Sequence, residues 1–347
     1  MSHQMSTISL ISSSRCNLKC SFCYLHKIAA CNKFDDIIIK AFQDGSYIEN
    51  VHNSLEALKV SSKDIKHLSI WGAETSLGLQ YLIPNIEQIY RYYPCIESNL
   101  LVTNWTTDPD QFVTYYKEID RCAKVKQKHV LQVSIDGPEG KVMHEGHNAS
   151  WELYMKNFTR FGEKMREVDF KNTKGIDIKF NSVIKKETYL DIFSDENKAY
   201  DYLKFMEDRA IELRQILGKF LWVRLCFPGV ALPFNSTIEE GKKFLECFKI
   251  TEKVLQEKFT KSDIYKDTRA LRSWYYNIAR STQYLDKEKS CGSMLGSAVF
   301  LPDGTIVECN ASYIENFPAY QEEMLRNNNM YEYYLAKLRS SNFYNPS

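Results

Sequence analysis

Three cysteines, Cys16, Cys20 and Cys23, fall within eight residues of the stretch SRCNLKCSFCYLHK. Thiolates this close together can share one metal centre. Zinc wants four closed ligands, and His26, three residues past Cys23, makes a Cys3His zinc site one solution. An iron–sulfur cluster is the other. Three thiolates on a 4Fe–4S cluster leave one iron open. An open position is what chemistry at a metal requires, as it does at a catalytic zinc.

The other seven cysteines are scattered: Cys31, Cys95, Cys122, Cys226, Cys247, Cys291 and Cys309. A lone cysteine in a reducing compartment is in most cases a small buried apolar group. The formal net charge of the 347 residues is +1, so no strong field favours nucleic acid or an anionic membrane. No apolar run is long enough to span a bilayer, and the opening MSHQMSTISLISSSR lacks the features of a signal peptide. The expectation is a cytoplasmic protein with neither membrane nor nucleic-acid partners.

The elements that must position the thiols alternate in type. TISLISSSR, HLSIWG, ESNLLVTN, HVLQVSIDG, IDIKFNSVI and FLWVRLCF read as six strands. Helical segments separate them, among them FDDIIIKAFQDGSYIENVHNSLEALK, LQYLIPNIEQIYRYY, SWELYMKNFTRFGEKMREV and ENKAYDYLKFMEDRAIELRQIL. In DPDQFVTYYKEIDRCAK, Asp108 and Pro109 form an N-cap and first turn. Such alternation predicts an α/β fold with parallel strands and right-handed helical crossovers. Six units suit an open or partial barrel. Ligands of such folds sit beyond the carboxyl ends of the strands, where this chain has polar or glycine-containing turns.

The cysteine segment resembles the CxxxCxΦC signature of radical S-adenosylmethionine (radical SAM) enzymes, with Phe22 as the aromatic position. The resemblance covers Thr7 to about Gly229 and implies a partial (β/α)6 TIM-like barrel. In that family the three cysteines hold a 4Fe–4S cluster, and AdoMet chelates the fourth iron. Reduction cleaves AdoMet to methionine and a 5′-deoxyadenosyl radical. GAET, with Gly72 and Glu74, is similar to the family's GGEP, which contacts the AdoMet amino group mainly through backbone; Ala73 and Thr75 depart from it. SIDG, with Ser134 and Asp136, resembles a ribose-contacting strand end. LVTN, with Asn104, resembles the family's TNG, with Trp105 where glycine is usual. Asn181 and Arg224, at expected ends of the fifth and sixth strands, are candidates for the AdoMet carboxylate or the substrate. Tyr24 corresponds to a residue often set near the adenine.

The alternation stops near Leu232, which suggests a barrel over residues 1–230 and a mainly helical extension over 231–347. Asp303–Gly304 between SAVFLP and TIVEC signals a β-hairpin. Cys291, the hairpin and Cys309 resemble the start of a SPASM or twitch extension, whose cysteines bind an auxiliary iron–sulfur cluster in relatives. The later cysteine group is missing, so a second cluster would have to recruit Cys226, Cys247 or another ligand. A metal-free extension covering the barrel mouth is the favoured alternative. The resemblance implies hydrogen abstraction from a peptide or protein side chain, with an external electron donor. A small-molecule dehydrogenation or rearrangement is the second expectation. A non-catalytic zinc or iron–sulfur module is the third.

Overall fold

A computed structural model of the protein describes residues 5–20, 31–138, 149–218, 221–225, 229–231, 238–261, 297–304 and 306–307. The first half runs β1 (Thr7–Ser13), α1 (Cys31–Gln43), α2 (Ser46–Ala57), β2 (His67–Gly72), α3 (Leu79–Leu82), α4 (Ile86–Tyr92), β3 (Ser98–Thr103), α5 (Asp110–Cys122) and β4 (Gln127–Ser134). There follow α6 (Trp151–Arg166), β5 (Thr173–Asn181), β6 (Val183–Lys185), α7 (Lys186–Phe193), α8 (Glu196–Leu217), β7 (Leu221–Leu225) and β8 (Gly229–Ala231). Then come α9 (Ile238–Lys258), β9 (Ser297–Phe300) and β10 (Ile306–Val307).

The six expected strands all form, and they lie in the order β1-β2-β3-β4-β5-β7, each parallel to the next. The protein is therefore α/β with a parallel sheet. The C-terminal hairpin forms as well, with Gly304 at φ +84 in its turn. A Cβ there would stand 2.6 Å from Ser54 Oγ, so the turn needs glycine for space as well as for conformation. β9 pairs in parallel with β1, so the hairpin extends the sheet at that edge. Tyr47 Oη donates to Phe300 O at 2.6 Å and Ser54 Oγ to Gly304 O at 2.8 Å, tying the hairpin to α2. The second helix expected in the extension lies outside the described residues.

Three local features differ from expectation. Residues 31–57 break into two helices at Gly45, which takes φ +76. Pro109 is the capping residue of α5, and Asp108 Oδ1 instead accepts the Asp110 N–H at 3.0 Å. The expected fifth strand IDIKFNSVI is divided: β5 ends at Asn181, and Val183–Lys185 form β6, which pairs with β8 in a separate two-stranded sheet before α7.

Side-chain alternation gives the sheet two unlike faces along β3, β4 and β5. On one, Leu101, His129, Leu131, Ile178 and Phe180 are fully buried. Among the described residues this face meets the helices: the Tyr116 ring of α5 lies 4.8 Å from His129, and Phe158 of α6 lies 6.3 Å from Phe180. On the other, Val102, Gln132, Ser134, Lys179 and Asn181 are half-buried.

Burial depresses the His129 imidazole to about 3, with the Asp120 carboxylate pulling weakly the other way. The unfolded chain therefore binds a proton near its ordinary value of 6.5 that the folded chain refuses. Stability from this group is complete above that value and is lost as pH falls towards 3. Between pH 7 and pH 4 the expected loss is about 3 kcal/mol. His129→Gln, which keeps a group to meet Thr173 Oγ1 but cannot titrate, should flatten the pH slope of urea-unfolding free energy by that amount. An equal slope in the variant would refute the assignment.

Candidate functional site

β1 ends in three consecutive serines, two of which anchor the start of the cysteine loop. Ser12 Oγ donates to Trp71 O at 3.1 Å. Ser13 Oγ and the Ser14 N–H both reach Asp35 Oδ1 of α1 at 2.8 Å. Arg15 adds ion pairs to Asp35 at 3.1 Å and Asp36 at 2.8 Å. The loop carrying Cys16 and Cys20 therefore leaves a fixed strand end.

The β2 end locks against the same loop. The Ala73 N–H donates to Ser13 O and the Glu74 N–H to Arg15 O, both at 2.9 Å. Gly72 sits so close that a Cβ would stand 2.4 Å from Ser13 O. Its need for glycine is thus explained by the strand exit itself.

Glu74 is 1% exposed, and its carboxylate points into the protein. It accepts from Ser76 N at 3.0 Å, Thr103 Oγ1 at 2.7 Å and Asn104 N at 2.6 Å. Burial pushes this carboxyl above its ordinary range, and the bonds from Asn104, Ser76 and Thr103 pull against that push. Its side chain clamps β2 to the end of β3. Asn104, so fixed, lies beside the cysteine loop. Its Nδ2 approaches Cys16 Sγ at 3.6 Å and Asn17 Oδ1 at 2.8 Å, and Asn17 Nδ2 donates to Thr106 Oγ1 at 2.8 Å. The Leu18 N–H also points at Cys16 Sγ, at 3.3 Å. Two N–H donors thus face this sulfur.

Trp105 holds φ +60, a left-handed conformation that glycine adopts far more readily than a residue with a side chain. That strain costs about 1–2 kcal/mol for a side-chain-bearing residue. The indole offsets it by full burial, 4.8 Å from Phe158 and 5.0 Å from Phe112 between ring centroids. The indole thus fixes a left-handed turn to α5 and α6.

The β4 and β5 ends lie side by side. Ser134 is the register partner of Asn181, and the Ile135 N–H donates to Asn181 O at 2.9 Å. Asp136 is buried, and its backbone carbonyl accepts from Tyr202 Oη at 2.7 Å. Tyr154 Oη donates to Ser134 O at 3.3 Å. Burial pushes that phenol well up, and the charges of Asp136, Glu74 and Cys20 add to the push, so these groups share one neighbourhood. Cys16, Cys20, Gly72, Glu74, Asn104, Ser134, Asp136 and Asn181 accordingly gather at the carboxyl ends of successive strands. Arg224 occupies β7 opposite Lys179, two residues below the level of Asn181. Phe22, Cys23, Tyr24, Cys226, Cys291 and Cys309 lie outside the described residues. Cys247 is a core thiol of α9, 2% exposed and pushed up by burial, and Cys122 is pushed up to about 11 by burial and Glu118.

Asn17 and Thr106 are members of this site that composition and motif do not single out, and Thr103, within LVTN, has no role of its own in the resemblance. The only sequence signal of Asn17 and Thr106 is a polar side chain within one or two residues of Cys16 or Asn104. No protein-family model matches the sequence, and no curated protein is significantly similar to it.

Proposed function

We propose that the protein is a radical SAM enzyme. Cys16, Cys20 and Cys23 would hold a 4Fe–4S cluster, and the carboxyl ends of β2 to β5 would hold AdoMet. The observation that carries this reading is Cys16 Sγ, set at the end of the first parallel strand and faced by Leu18 N and Asn104 Nδ2. When bound and reduced, such a cluster cleaves AdoMet and supplies a 5′-deoxyadenosyl radical that takes a hydrogen atom from a substrate.

The roles left to the chain follow from its geometry. Glu74 holds Asn104 against the cysteine loop. Ser134, Asp136 and Asn181 present hydroxyl, carboxylate and amide groups along one edge, suited to ribose hydroxyls and an amino-acid head. Strands placed in chain order, with α5 and α6 packed on the same face, favour a singly wound partial barrel. A doubly wound fold reverses strand order part-way and covers both faces. The half-buried face would then be the barrel interior, where a peptide or small-molecule substrate would lie.

Metal and sulfide analysis after anaerobic purification tests the proposal. Close to four irons with acid-labile sulfide, in line with one cluster, is expected. Zinc in one-to-one amount without iron would replace it with a Cys3His zinc module.

A further inference from the structure

Two rows of side chains cross the half-buried face. The upper row, at the strand ends, includes Ser134 opposite Asn181. The row beneath it holds Val102, Gln132 and Lys179 in consecutive register on β3, β4 and β5. Arg224 follows at the next register position on β7. Neighbouring strands lie about 4.8 Å apart, so the Gln132 amide and the Lys179 ammonium can reach one ligand group.

The charges on this face are not balanced row by row. Asp177, two residues before Lys179 on the same strand, is paired with Lys128 at 3.5 Å. Among the described residues Gln132, Ser134, Lys179 and Asn181 make no side-chain hydrogen bond or ion pair. Among the described residues Lys179 is thus a half-buried cation that no ion pair meets, beside an amide that donates no hydrogen bond. Such groups are costly to withdraw from water unless a partner meets them.

We infer that Gln132 and Lys179 bind an anionic group of the substrate, a carboxylate or a phosphate, with Val102 against the apolar atoms beside it. The site deepens the proposed function, because it lies one row below the strand ends assigned to AdoMet. Its test does not depend on that assignment.

The test is calorimetric titration of the full-length protein with 4-phenylbutyrate, phenethyl phosphate and the neutral 4-phenylbutyramide. At least one anion should bind at least tenfold tighter than the amide, and the tighter anion identifies the group. Lys179→Gln should erase that preference, and Lys179→Arg should keep it. Gln132→Glu, which adds a like charge, should weaken anion binding at least tenfold and leave the amide unaffected. The preference should also survive in the Cys16→Ala, Cys20→Ala, Cys23→Ala variant, which separates this inference from the cluster. Equal binding of anions and amide by the wild type, or a preference retained in Lys179→Gln, would overturn it.

Discussion

The protein carrying Cys16→Ala, Cys20→Ala and Cys23→Ala together should yield no 5′-deoxyadenosine after anaerobic reconstitution and dithionite reduction. It should also retain almost no iron. The expectation of total loss follows from ligand count: with no thiolate in the loop, nothing there holds a 4Fe–4S cluster. The fold should survive. Leu18 N meets Cys16 Sγ at 3.3 Å and Asn104 Nδ2 meets it at 3.6 Å, contacts that are weak for sulfur. The loop remains tied through Ser13, Ser14 and Arg15 to Asp35. Urea unfolding of the variant should therefore stay within about 1–2 kcal/mol of wild type. Wild-type yield of 5′-deoxyadenosine would remove the cysteines from the chemistry. A collapse in stability would instead make them structural ligands, as in a zinc site that contributes folding energy outright.

What was legible in the sequence was the part set by local pattern. Runs of Ile, Val and Leu between turn residues gave all six parallel strands, and Asp303–Gly304 gave the hairpin. Thiol spacing and its place after β1 gave the loop. The segment Lys186–Phe193 was not read as a helix because its eight residues, between a three-residue strand and a long helix, offer barely two turns of pattern. Trp105 showed only as a departure from glycine. That the backbone keeps a left-handed turn under it depends on Phe112 and Phe158, contributed by two later helices. The polar alternation of Gln132 and Ser134 is visible in HVLQVSIDG. Which face it lines is not, because that depends on where the helices of the whole sheet lie. The position of β9 was illegible for the same reason: a hairpin signal says nothing about which strand it will join, here β1.

Glu74 offered the least local signal. The resemblance of GAET to GGEP puts Glu74 near the AdoMet amino group, yet its side-chain partners Thr103 and Asn104 lie 29 and 30 residues on. From its geometry, Glu74→Gln should lower stability by about 3 kcal/mol and cut AdoMet cleavage at least tenfold. Both carboxylate oxygens are committed. Oε1 accepts from Ser76 N and Thr103 Oγ1, and Oε2 from Asn104 N. Two of these donors are backbone N–H groups, which cannot reverse their role. A glutamine has one acceptor oxygen, so whichever way its amide turns, an NH2 meets a backbone N–H. That leaves one buried donor unsatisfied and removes a charge-assisted bond, losses of about 1–3 kcal/mol each. Cleavage should suffer beyond the stability loss, because Asn104 is the link from Glu74 to Cys16 and Asn17. The two effects are separable. Urea unfolding reports the first. Cleavage rate per bound iron, measured well below the melting temperature, reports the second. A variant with lowered stability but wild-type cleavage per iron would confine Glu74 to a structural clamp. A variant unchanged in both would remove Glu74 from the clamp altogether.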